Sequence, residues 1–177
     1  IELMLTLVIV GIVLAIGVPS FNTMIDNNRI KTQTNRAIGL ISYARSEASK
    51  RTGTTITTCG SSDGATCDTS NWESGWLVMN DINGNRTLDG GDELLQVGLP
   101  FAGGNTFRSS GFGNTAFIQF DSTGSAGSAG TFVICDSRGA AEAKGIVLSV
   151  IGQSRLAVDT DSNGIVENHQ GVDVTCP

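Results

Sequence analysis

Hydrophobic and polar positions fall into three regimes along this chain. From Leu3 to Val18, sixteen consecutive residues carry no charge and most are aliphatic; Glu2 precedes the run and Pro19 closes it. As a helix rising 1.5 Å per residue, the run spans about 24 Å, a little short of the roughly 30 Å hydrocarbon core of a bilayer. A cleaved signal peptide has an apolar core of similar length. Here no basic flank leads the run and no small-x-small site follows it, which disfavours that reading. A buried core helix is disfavoured too, because no polar stripe recurs at helical spacing.

The second regime is helical and amphipathic. Ala37, Ile38, Ile41, Ala44 and Ala48 fall on one helix face, and no proline interrupts the chain between Pro19 and Gly53. One helix to about Lys50 is expected, with Pro19 kinking it or marking where it melts, since proline cannot donate its backbone hydrogen bond. Asp26 to Asn35 is polar on nearly every face, which suits either solvent or a subunit contact.

From Thr54 the period changes to that of strands. The segments 54–58, 75–80, 93–97, 116–120, 131–135, 145–151 and 154–158 are short β-like runs separated by Gly, Asn and Asp. A tight hairpin is expected at Gly152-Gln153-Ser154. The order implies an α+β protein: a long N-terminal α-helix, hydrophobic in its first half, packed on a C-terminal antiparallel β-sheet head. The segments are 1–21 (a helix for a membrane or for the core of an assembly), 22–52 (amphipathic continuation) and 53–177 (globular β head).

Charge divides along the same line. Through Arg51 there are six Lys/Arg against three Asp/Glu; from Thr52 onward there are five against fourteen. An acidic head argues against a broad nucleic-acid surface, which needs a clustered basic footprint. The 23 glycines read as turns, except in GSAGSAG (124–130), which reads as a flexible loop tip.

Cys59, Cys67, Cys135 and Cys176 show no C-x-x-C and no zinc spacing. An even count with long spacing behind an export-like N-terminus points to two disulfides in an oxidising compartment. Of three connectivities we favour Cys59–Cys67, closing a short loop, with Cys135–Cys176 pinning the tail; the alternative is four reduced structural thiols.

The stretch Ile1–Phe21 resembles the N-terminus of type IV pilins and pseudopilins, whose mature chains begin Phe-Thr-Leu-Ile-Glu-Leu. Here Ile1-Glu2-Leu3 stands as though three residues and a leader had been removed. The resemblance implies cleavage and amine methylation by a prepilin peptidase. It implies storage in the bilayer as a single-pass bacterial inner-membrane protein with a periplasmic head. An inner-membrane assembly platform then draws the subunit into an extracellular or periplasmic filament of pilin-like partners. It also gives Glu2 a role, neutralising the N-terminal amine of a neighbouring subunit, because an unpaired carboxylate in an apolar filament core is costly. Gly11 and Gly17 would allow close helix approach.

A second resemblance, to the GspH/FimT-type minor pilins and pseudopilins, rests on Trp72, Gly75, Trp76, Asp81, Asn83, Asn85, Asp89, Gly91 and Asp92, and on Tyr43–Ala48 (YARSEA). Some FimT-type proteins bind DNA through a Gly-Arg-x-Arg motif near the last hairpin. This chain has Gly152-Gln153-Ser154-Arg155, so Arg155 alone remains as a DNA-binding candidate and nucleic acid is not an expected partner.

Two loops carry oxygen ligands at alternate positions, as a hard cation requires. Asp159, Asp161 and Asn163, followed by Gly164, match the first half of a calcium loop, with Glu167 ninth and Gln170 where a bidentate Glu would stand. In the Asp81, Asn83, Asn85 loop, Arg86 replaces the glycine. Asx-Gly turns explain both loops without a metal; calcium at the Asp159 loop is the one cofactor expectation. Catalysis is not expected, because His169 is the only histidine and Gly111-Phe112-Gly113 lacks the strand–helix setting of a nucleotide site.

The reading that follows is a structural subunit, a minor one that primes or caps a type IV pilus. A type II secretion pseudopilin, a main filament subunit and a DNA-binding minor pilin are the alternatives.

Overall fold

A computed structural model describes residues 1–177. Helix α1 runs unbroken from Glu2 to Lys50, through Pro19. It is followed by β1 (Thr55–Gly60), β2 (Trp76–Asp81), β3 (Glu93–Gly98), β4 (Thr106–Ser110), β5 (Phe117–Phe120), β6 (Gly130–Cys135), β7 (Lys144–Leu148) and β8 (Ser154–Leu156). The strands form two four-stranded sheets, ordered β3-β2-β1-β5 and β4-β6-β7-β8. Every pairing is antiparallel. The fold is the expected α+β helix on an antiparallel head, with the head split into two sheets.

The helix is apolar in two ways. Residues Ile30, Gln33, Thr34, Ala37, Leu40, Ile41, Ala44 and Ala48 are buried at i, i+3, i+4 and i+7 spacing, forming one stripe against the head. Small Ala44 and Ala48 let the helix backbone approach the sheets. The stripe continues into a core containing Ile56, Val78, Phe107, Phe120, Phe132, Ile146 and Leu148. Trp72, on a short 3-10 turn, fills the centre: it packs edge-on against Phe132 at 4.9 Å and Phe107 at 5.9 Å. Its indole Nε1 donates to the Thr115 carbonyl at 2.8 Å, so the ring is buried with its one donor satisfied.

Three expectations are corrected. Asp26 to Asn35 is docked on one face only: Ile30, Gln33 and Thr34 are buried against the head, while Asn28, Lys31, Thr32 and Asn35 stay exposed. Gln33 Nε2 donates to the Ala102 carbonyl at 2.9 Å, and Arg138 reaches Asn27 Oδ1 at 2.7 Å, so polar contacts dock this stretch on the head. The segment GSAGSAG is held rather than loose: Ala126 N–H and Ser125 Oγ both donate to the Val150 carbonyl, and Arg45 Nε donates to Gly124 O. It forms the crossing from β5 in one sheet to β6 in the other. The last hairpin turns earlier than expected. Leu148 pairs with Ser154, and Ser149 N–H donates to Gln153 O, so Val150 and Ile151 belong to the turn.

Candidate functional site

The first half of α1 touches nothing else in the chain. Its apolar window has a mean hydropathy of 2.5 with none of its residues buried, and the helix is long and apolar enough to cross a membrane. Leu3, Met4, Ile16 and Phe21 are each about 70% exposed in the isolated subunit, and the exposed run continues to Ile25. The two threonines here are satisfied on their own helix. Thr6 Oγ donates to Leu3 O at 2.9 Å, and Thr23 Oγ to Pro19 O at 3.1 Å. From Leu3 to Val18 the rod therefore presents apolar side chains with its one hydroxyl, Thr6, satisfied, as lipid or an apolar filament core demands. Glu2 sits in the first helical turn, where a carboxylate complements the helix dipole. Pro19 leaves the Ala15 carbonyl without its helical donor, although the helix continues on both sides.

Both cysteine pairs are joined. Cys59 links to Cys67 across eight residues and Cys135 to Cys176 across 41, leaving no free thiol. The first ties the end of β1 to the following loop; the second fastens the C-terminal segment to β6.

Arg155 lies on β8 beside an open polar groove of about 850 Å³ between α1 and the β7–β8 hairpin. The groove brings it together with Arg45 and Lys50, which are more than a hundred residues distant in sequence and carry no motif linking them to it. Lys50 is already tied to Glu47 at 2.6 Å, and Gln153 adds no charge. Three cations thus line the groove, one of them engaged by Glu47.

The loop after β8 folds on its own acids. Asp159 accepts from the Ser162 and Gly164 amides at 2.7 and 2.8 Å, while Ser162 and Gly164 both take positive φ. Glu167 Oε1 accepts from the Thr160 amide, the Thr160 hydroxyl and the Asp161 amide. One carboxylate oxygen from each of Asp159, Asp161 and Glu167 lies within 4.8 Å of the other two. Asn163 bridges Asp161 and Asp173 through Nδ2, at 3.1 and 2.9 Å. The amide of Gly164, and the Thr160 hydroxyl and amide, hold Asp159 and Glu167 respectively below the usual carboxylate range. In the other loop, Arg86 adopts φ 66° at the sixth position and its amide donates to Asp81 Oδ2. There Asn83 and Asn85 direct their side-chain amides at Asp89. His169 sits over Gly111, with Nδ1 3.1 Å from Thr131 Oγ1, and its backbone amide donates to the same hydroxyl.

These features match known proteins at the level of fold and family. Two crystal structures of the type IV minor pilin FimU from Pseudomonas aeruginosa superpose with TM-scores of 0.59 and 0.56, at 18% and 17% identity. They cover 75% and 72% of this chain and 91% and 92% of FimU. That level of identity speaks for the fold alone. No curated protein matches the sequence significantly. The family model described as type II transport protein GspH matches residues 33–152, from the docked half of α1 through the turn before β8. An exposed apolar helix, a buried second half and a two-sheet head thus come together in one chain, which belongs to the GspH family.

Proposed function

We propose that this protein is a structural subunit of a type IV pilus or related filament, and that within the filament it is a minor subunit, priming or capping it. The observation that carries the reading is the bare apolar half of α1, whose exposure in a lone chain has no stabilising counterpart in water. Before assembly the lipid bilayer covers this surface; in the filament the corresponding helices of sister subunits replace it, and packing against them with satisfied polar groups favours the exchange. Glu2 gives the exchange its register by meeting a neighbour's N-terminal amine. The head faces the periplasm and then the outer surface of the filament. A prepilin peptidase and an inner-membrane assembly platform are the partners this route requires. The resemblance to FimU, itself a type IV minor pilin, supports the minor role.

The family description favours a second reading, a pseudopilin of a type II secretion system. Quantitative mass spectrometry of filaments sheared from the cell surface separates the two. Trace incorporation supports the minor pilin. Abundance equal to the principal band would make this the main subunit, and absence from surface filaments would favour the secretion system.

A further inference from the structure

We propose that the loop Asp159–Glu167 binds one calcium ion, with Asp159, Asp161, Asn163 and Glu167 supplying side-chain oxygens and so bracing the C-terminal segment. The cluster of acids would not carry this alone. The separate observation is Glu167, which is 6% exposed. Its Oε1 is taken by three donors, while Oε2 is buried and accepts from nothing. A buried carboxylate oxygen without a partner is expensive, and a cation beside the neighbouring carboxylates removes the expense.

Charge points the same way. Asp159, Asp161, Glu167 and Asp173 crowd one loop, yet every ion pair of the chain lies elsewhere. The Ile165 carbonyl, seventh in the loop, accepts no hydrogen bond. Oxygens from an irregular Asx loop suit calcium, which takes six to eight ligands in loose geometry, better than magnesium, which demands a tight octahedron. No bidentate Glu stands at the twelfth position, so affinity belongs with extracellular modules, with Kd on the order of 0.1–1 mM.

The loop at Asp81 is the internal comparison. Asp81 also keeps one buried oxygen without a partner. There, however, the third position is the neutral Asn83 where the proposed site has Asp161, and no three carboxylates converge as Asp159, Asp161 and Glu167 do. Fewer charges converge, and the case for an ion is weaker.

The test is calorimetric titration of the full chain in detergent micelles with calcium chloride, alongside thermal unfolding with and without the salt. One ion per chain is expected, with a rise in Tm of several degrees at about 10 mM calcium and a much smaller rise with magnesium chloride. Asp161→Asn is the deciding variant. Asp161 is exposed, and the substitution is isosteric and keeps an acceptor for the Asn163 amide. It should weaken binding at least tenfold while the circular dichroism spectrum stays unchanged. Asp89→Asn should bind as the parent does. No heat and no Tm shift at 10 mM calcium would overturn the proposal. So would binding that survives Asp161→Asn, or binding that Asp89→Asn abolishes.

Discussion

Gln33 on the helix and Asn105 on the head, 72 residues apart, share a buried 2.6 Å hydrogen bond in which the Asn105 amide donates to Gln33 Oε1. Gln33 Nε2 in turn donates to the Ala102 carbonyl. One side chain thus fixes the height at which the head sits on α1. Gln33→Ala would strand the Asn105 amide in a dry site, while the carbonyl of exposed Ala102 could turn to water. We expect it to destabilise the protein by about 1–3 kcal/mol, read by urea denaturation, with the strand content at low denaturant unchanged.

Gly98 faces Trp76 across the β2–β3 ladder, and a Cβ on Gly98 would lie 1.8 Å from the indole. The Arg36 guanidinium stands 5.6 Å from the ring centroid. The buried ring has no room to retreat. Gly98→Ala should cost about 1–3 kcal/mol, and Tm should fall accordingly. An unchanged Tm would mean that the ladder shifts to make room.

The two disulfides should contribute unequally. Loop-closure entropy gives about 2.5 kcal/mol for the eight-residue loop and about 4 kcal/mol for the 41-residue loop. Cys135→Ala/Cys176→Ala should therefore lower stability more than Cys59→Ala/Cys67→Ala. It should also open the segment after Leu156 to limited proteolysis first.

Acid should weaken the head. The Arg138 side chain holds Asp136 below the usual carboxylate range, and Arg138 in turn reaches Asn27 on the helix. A carboxyl with a lowered folded pKa adds stability that is fully present above its unfolded value, near 4, and is lost as the pH falls through the folded value. Urea unfolding at pH 7, 5 and 3 should show a decline at the acid end, and Asp136→Asn should flatten part of it.

Glu2→Ala should leave the membrane-held subunit folded, because Glu2 is remote from every contact of the head. Incorporation into sheared filaments should drop at least tenfold. Full incorporation would remove Glu2 from the account of assembly.

The elements that were legible in the sequence are those with a strong period: the apolar run, the face from Ala37 to Ala48, and seven of the eight strands. Strand β4 was not legible, because Thr106-Phe107-Arg108-Ser109-Ser110 alternates with Phe107 as its only apolar residue. Its buried positions, Phe107 and Ser109, show the alternation only once the partner β6 is known. The division into two sheets was equally hidden, since β1 pairs with β5 across more than fifty residues and nothing local encodes that choice. Gln33 was invisible for a related reason. A polar residue on a buried stripe reads as solvated until its distant amide partner is in place. The groove joining Arg45 and Arg155 follows the same rule: side chains that meet only through tertiary folding leave no mark in local spacing.

The unbroken course of α1 past Phe21 and into the head has a mechanical consequence. Between the last exposed large apolar residue of the helix, Ile25, and the first buried one, Ile30, there is less than two turns of helix, about 8 Å, and no joint. Any tilt of the stalk above Pro19 must swing the two sheets through the same angle, so the head behaves as the end of a lever whose pointing direction is set from below.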